Sequence, residues 1–375
     1  MSNRFDRSIT RRLIRIARAP GLGFIPIALL LFFATDSLIA QSVRHRIAES
    51  PFRFAQSSIA LVDEILEQAA NSPSPKAVFL GDSAVRGARL AADETLPVFF
   101  EKMLATQSGK PWTVFNLGLT AASNSDKLLL LRRMIDGNCR PELVVIADNM
   151  KFYSRQYPVQ TARYPKLATA ALRQRHRKLV YGVLSLKETP RKTLWAGPDN
   201  IADELAARVF LVRNRDFIAG FFGAGDHPFR RGLTAFNHIK RRLAGPSEEL
   251  ADKTGNSRYY DLPKLNLRPE TGVNARALGE IQKTCFENDL NCFFYLTPIN
   301  VARAYREENF TRETFNRYRN AVRDLLGIDP KHVADLTTLL GEDDFHDIDH
   351  PTRNGVQKLA AELVRRTQEI AGATP

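Results

Sequence analysis

The chain has 375 residues, 44% of them apolar and 25% charged, which excludes disorder by composition and leaves room for one large α/β domain or two modest ones. Its three cysteines, Cys139, Cys285 and Cys292, are too few for a disulfide scaffold, and no Cys-x-x-Cys or Cys/His cluster points to zinc. The net charge of +13 is unevenly placed: residues 1–20 carry six Arg against one Asp, and residues 151–268 carry 23 Lys and Arg against 10 Asp and Glu.

A basic middle segment suits an anionic membrane surface, an acidic polymer or nucleic acid, and is equally a solvated face. The chain has no helix-turn-helix, zinc-finger or aromatic RNA-binding signature, so no nucleic-acid partner is expected.

In chain order, residues 1–21 form a basic lead, expected on the cytoplasmic side. The apolar run from Leu22 to Ala40, broken only by Thr35-Asp36-Ser37, is just long enough to span a bilayer. A cleaved signal peptide would share this pattern, but Leu38 occupies a position where cleavage wants a small side chain. The expectation is an uncleaved anchor over 22–40, with the rest of the chain delivered outside. Residues 41–73 read as a juxtamembrane helix and linker running into Asn71-Ser72-Pro73-Ser74-Pro75.

From residue 74 onward short apolar runs alternate with helical patterns. The expected strands are Ala77–Leu80, Val114–Leu117, Leu143–Ala147, Cys292–Leu296 and a weaker His332–Leu336. The expected helices are Lys127–Ile135, Ala275–Glu287, Thr311–Leu326 and Gly355–Thr367. Buried strands alternating with helices imply a parallel sheet covered on both faces. Residues 155–270 break the alternation and read as a basic, mostly helical insertion, of the kind that builds a lid or substrate surface.

Two segments carry chemistry. In Phe79-Leu80-Gly81-Asp82-Ser83-Ala84-Val85-Arg86-Gly87 a strand ends and Ser83 opens the next helix, at the sheet end where open α/β sheets bind ligands. Helix-start amides there can hold a developing oxyanion, and Gly87 allows close packing on the sheet. Taken alone, Asp82-Ser83 is equally a helix cap. The second segment is Phe345-His346-Asp347-Ile348-Asp349-His350-Pro351. A serine nucleophile needs a base and a carboxylate to orient it, which His350 and Asp347 can supply. His346 and Asp349 are rivals by residue type, and the acidic loop could also simply cap the final helix or hold a metal.

Together these segments resemble the SGNH (GDSL-like) hydrolase superfamily. Gly81, Asp82, Ser83 and Gly87 match its first block, and Asp347, His350 and Gly355 its last. Asn116 and Gly118 meet the second block, with Ala121 in place of its final glycine, and Ala147-Asp148-Asn149-Met150 meets the third in part. The layout is similar to a membrane-bound subgroup that includes the D-alanyl-lipoteichoic acid biosynthesis protein D and proteins that O-acetylate exopolysaccharides.

The resemblance implies a three-layer α/β/α sandwich with a five-stranded parallel sheet in flavodoxin-like order, spanning 74–375. It implies catalysis by Ser83, Asp347 and His350, with an oxyanion hole from Ser83, Gly118 and Asn149 and no metal or cofactor. It also implies a cell-envelope polymer or acylated glycan as substrate, beside a membrane-bound O-acyltransferase, or else a non-catalytic scaffold on the same fold. In such a sheet Cys139 and Cys292 precede neighbouring strands. A disulfide between them is expected, with Cys285–Cys292 as the rival pairing.

Overall fold

The computed structural model describes residues 24–49, 62–154, 271–307, 311–327 and 330–371, with scattered residues between 167 and 268. The basic lead and nearly all of the expected insertion lie outside the described residues. All five expected strands form: β1 (Lys76–Gly81), β2 (Thr113–Gly118), β3 (Leu143–Asp148), β4 (Cys292–Leu296) and β5 (Val333–Asp335). They make one parallel sheet in the order β2-β1-β3-β4-β5, as the flavodoxin-like expectation required.

Every residue of β1, β3 and β4 is buried, which is why these strands read as continuous apolar runs rather than as alternations. Successive side chains still go to opposite faces. On one face Val78, Leu80, Val144, Ile146 and Phe294 pack against α2 (Val62–Asn71), α5 (Asn124–Asp136), α6 (Val273–Glu287) and α8 (Arg312–Leu326). On the other, Phe79, Val145, Phe293 and Tyr295 pack against α4 (Leu96–Ser108) and α9 (Arg353–Ala371). Phe79 meets Phe100 edge to face, with ring centroids 5.0 Å apart.

One expectation is overturned, the disulfide pairing, and the helix around the apolar segment has its own bounds. Helix α1 (Phe24–Glu49) runs through the apolar segment and well past Ala40, and Thr35-Asp36-Ser37 stay helical inside it. It buries Asp36 and Ala40 while exposing Leu30, Leu31, Phe33 and Leu38. Among the described residues no helix is long and apolar enough to cross a membrane.

The disulfide joins Cys285 to Cys292, and buried Cys139 is free. Helix α6 ends at Glu287 with Asn288 as its cap, and a tight turn with Asp289 at φ +52° feeds β4, which brings two cysteines only seven positions apart face to face. Cys139 instead packs into the core beside Met134, whose carbonyl accepts its amide.

Candidate active site

The site lies at the carboxyl ends of β1 and β3. Strand β1 delivers Asp82, whose extended backbone and side chain cap the one-turn helix α3 (Ser83–Arg86): Asp82 Oδ1 accepts the Ala84 amide at 3.0 Å. Gly87 was expected to permit close packing along a helix. It instead ends the helix, at φ +89°, donating its N–H to the carbonyls of Ser83 and Ala84. A Cβ there would also meet Thr95 Cγ2 at 2.3 Å.

The second segment forms a closed loop before α9. His346 N donates to the His350 carbonyl, and Phe345 pairs with Pro351 in an antiparallel bridge. Inside the loop Asp347 Oδ1 accepts the amides of Asp349 and His350, so the carboxylate fixes the backbone that carries the histidine. The segment after β4 braces it, Asn300 N donating to the Ile348 carbonyl at 2.8 Å.

These two segments meet. His350 Nε2 lies 2.9 Å from Ser83 Oγ, and His350 Nδ1 lies 2.9 Å from both oxygens of Asp347. With its proton on Nδ1, the imidazole donates to Asp347 and accepts from the Ser83 hydroxyl. Of the rivals, His346 is exposed and takes no part. Asp349 approaches His350 Nδ1 to 3.2 Å with one oxygen and turns the other to Lys151.

The electrostatics follow from burial and pairing. Burial is the largest influence on His350 and acts to lower its pKa, but the Asp347 hydrogen bond and the charge of Asp349 outweigh it and raise the pKa above the ordinary imidazole value. Burial would raise Asp347, yet the hydrogen bond and charge of His350 hold it well below the carboxylate range. Asp82 is likewise lowered against the cost of its burial, by Lys151 and Lys127.

The expected oxyanion donors fare unequally. Among the described residues no acceptor takes the Ser83 amide. The Gly118 amide donates to the Asn116 side chain at 2.7 Å, so it is committed within its own strand, and Asn116 Nδ2 donates onward to the Val85 carbonyl. Gly118 has another duty: a Cβ there would stand 2.5 Å from Arg86 N, so glycine lets α3 press on β2. Asn149 is buried, caps the turn Met150–Tyr153, and accepts the Lys151 amide at 3.1 Å.

Two residues at the site carried no signal in the motifs. Lys151 is buried and pairs with Asp82 Oδ2 at 2.9 Å and with Asp349. Arg89, at φ +68°, reaches Asp347 Oδ2 at 3.3 Å from the solvent side. Asp347, Asp349 and His350 are spaced closely enough to ligate a cation, but their donor atoms are already engaged with one another, with Lys151 and with Arg89.

No protein-family model matches the chain, and no curated protein sequence matches it either. Among solved structures the chain is similar to TesA at 10% identity, covering 78% of this chain and 98% of that one, with a TM-score of 0.36. The lipase Lip_vut3 from a goat rumen metagenome aligns at 9% identity over 78% and 96% of the two chains, TM-score 0.32. A Bacteroides fragilis protein described as an acylhydrolase aligns at 12% identity over 83% and 99%, TM-score 0.34. Likeness at this level fixes neither residues nor chemistry.

Proposed function

We propose that the protein is an SGNH-type serine esterase or O-acyltransferase working through an acyl-serine intermediate. The observation that carries the reading is the unbroken hydrogen-bond chain from Asp347 through His350 to Ser83. Ser83 Oγ attacks an ester carbonyl as its proton passes to His350 Nε2. Asp347 holds the ring and stabilises the imidazolium. The Ser83 amide and the Asn149 side chain are assigned to the oxyanion, with Gly118 left out because its amide is already used. Collapse expels the alcohol with the proton from His350, leaving an acyl-serine. Water or a second hydroxyl, deprotonated by His350, then takes the acyl group.

The wider setting belongs to the same proposal. We assign the chain to a bacterial inner membrane, with residues 22–40 as a single-pass anchor and the 74–375 domain in the periplasm. A cell-envelope polymer or acylated glycan is the substrate, and a membrane-bound O-acyltransferase is the acyl donor's source. The exposed Leu30, Leu31, Phe33 and Leu38 of α1 support membrane contact, and the Cys285–Cys292 disulfide suits an oxidising compartment. The basic segment 151–268 suits an acidic polymer.

The test is mass spectrometry of the full-length protein quenched during turnover of p-nitrophenyl acetate. An acetyl adduct on Ser83, absent from Ser83→Ala, supports the reading, and turnover retained by Ser83→Ala overturns it. A second reading, a non-catalytic scaffold that binds glycan, is favoured by one observation, the commitment of the Gly118 amide to Asn116. It expects wild type and Ser83→Ala to serve equally well in the cell.

A further inference from the structure

Lys151 lies in the turn after β3 with its side chain only 7% exposed. Burying an ammonium costs several kcal/mol unless opposite charges surround it. Here two do: Nζ pairs with Asp82 Oδ2 at 2.9 Å and with Asp349 Oδ2. Asp82 is the residue before the nucleophile, and its other oxygen caps the helix that Ser83 begins. Asp349 is the residue before the histidine, and its other oxygen lies 3.2 Å from His350 Nδ1. One cation therefore ties together the two segments whose separation the Ser83–His350 hydrogen bond must span. Lys151 thus holds the neighbours of Ser83 and His350, and its charge also acts on His350 directly.

We propose that Lys151 is a positioning residue for the Ser83–His350 pair, clamping the nucleophile turn to the histidine loop through Asp82 and Asp349. The inference rests on the reading of Ser83 as nucleophile and deepens it. It also gives Asp349 a part distinct from that of Asp347: Asp347 orients the ring, and Asp349 links the ring's surroundings to the clamp.

The groups acting on His350 come from several elements. Asp347 and Asp349 belong to its own loop, and Lys151 comes from the turn after β3. Ser83 comes from α3. Arg89 acts on it only through Asp347, and Lys127 and Asp82 only across the clamp. Asp349 raises the histidine and Lys151 lowers it, Asp349 with the larger influence of the two.

Two readouts on the full-length protein in detergent test this: kcat/KM for p-nitrophenyl acetate, and the His350 titration midpoint from histidine NMR signals assigned with His350→Gln. The variants are Lys151→Met with Asp82→Asn, which removes the clamp and spares the buried Asp82 an unpaired charge, and Asp349→Asn. The clamp-free variant is expected to lose about 10- to 100-fold in kcat/KM, with its midpoint moved to higher pH. Asp349→Asn should move the midpoint to lower pH, and Lys151→Arg should recover most of the activity.

Midpoints unmoved in both variants, or an activity loss matched by the unfolded fraction, would overturn the proposal. If the clamp-free variant does not fold, the Asp349→Asn midpoint decides. An inert wild type would count against the esterase reading instead, and the midpoints would still decide whether Lys151 acts on the histidine.

Discussion

Arg89 reaches in from solvent to place Nη2 3.3 Å from Oδ2 of Asp347, the carboxylate that already holds His350. Arg89 is 55% exposed, whereas Asp347 is buried, so the arginine contributes a screened charge at the rim of a well-formed pair. An exposed ion pair of this kind is worth about 0–1 kcal/mol. Arg89→Ala should therefore lower kcat/KM for an aryl acetate by less than about fivefold, and added salt should produce the same loss in wild type. A loss of several orders of magnitude would mean that Arg89 itself contacts the substrate.

Removing Asp347 has a different outcome. Its oxygens accept two backbone amides of the histidine loop as well as His350 Nδ1. Asp347→Asn should cost about 10⁴-fold in rate, because the amide side chain stabilises the wrong imidazole tautomer and no imidazolium. Asp347→Ala should cost stability as well, since it strands the amides that Asp347 caps. Stopped assays alongside thermal unfolding separate the two effects.

The pH dependence follows from the same pair. His350 must be neutral to accept the serine proton, and its pKa is raised, so activity should climb through a midpoint above the ordinary imidazole value. Stability behaves differently. The raised His350 stabilises the fold at pH below its unfolded value, and that share is lost as pH rises through the folded value. The depressed Asp347 stabilises above the ordinary carboxylate range, and that share is lost as pH falls through its folded value. Urea unfolding of Ser83→Ala should show stability from this pair greatest between the carboxylate and imidazole ranges. A His350→Gln control should flatten the alkaline side.

Gly118→Ala tests the packing that places the nucleophile. The added methyl would meet backbone of α3 at Arg86, 2.5 Å away, and so cannot be relieved by a side-chain rotation. Strain of this kind costs about 1–3 kcal/mol and should displace Ser83. The variant should melt lower than wild type and hydrolyse aryl acetates more slowly than its folded fraction explains. An unchanged rate would show that α3 can move without consequence.

Most of the sheet was legible because parallel strands buried on both faces leave continuous apolar runs, as in Leu143–Ala147 and Cys292–Leu296. That Ser83, Asp347 and His350 come together was legible from their residue types at strand and helix ends. Lys151 was not. A lysine after a strand reads as surface, and its burial depends on Asp82 and Asp349, far off in the chain. The partner of the Gly118 amide was not legible, because only the folded side chain of Asn116 shows where that donor goes. The disulfide was misjudged for a local reason. Strand adjacency does bring β3 beside β4, but the helix–turn–strand geometry already joins Cys285 to Cys292 within a short loop, where closure costs least. Non-reducing peptide mapping should find Cys285 linked to Cys292, with Cys139 alkylated only after unfolding.

The most direct measurement of the central claim is labelling of the full-length protein by a fluorophosphonate probe, beside Ser83→Ala and His350→Ala. The account predicts a single adduct on Ser83, lost in Ser83→Ala and strongly slowed in His350→Ala. A folded wild-type protein that takes no label, or one labelled equally well without His350, would contradict it.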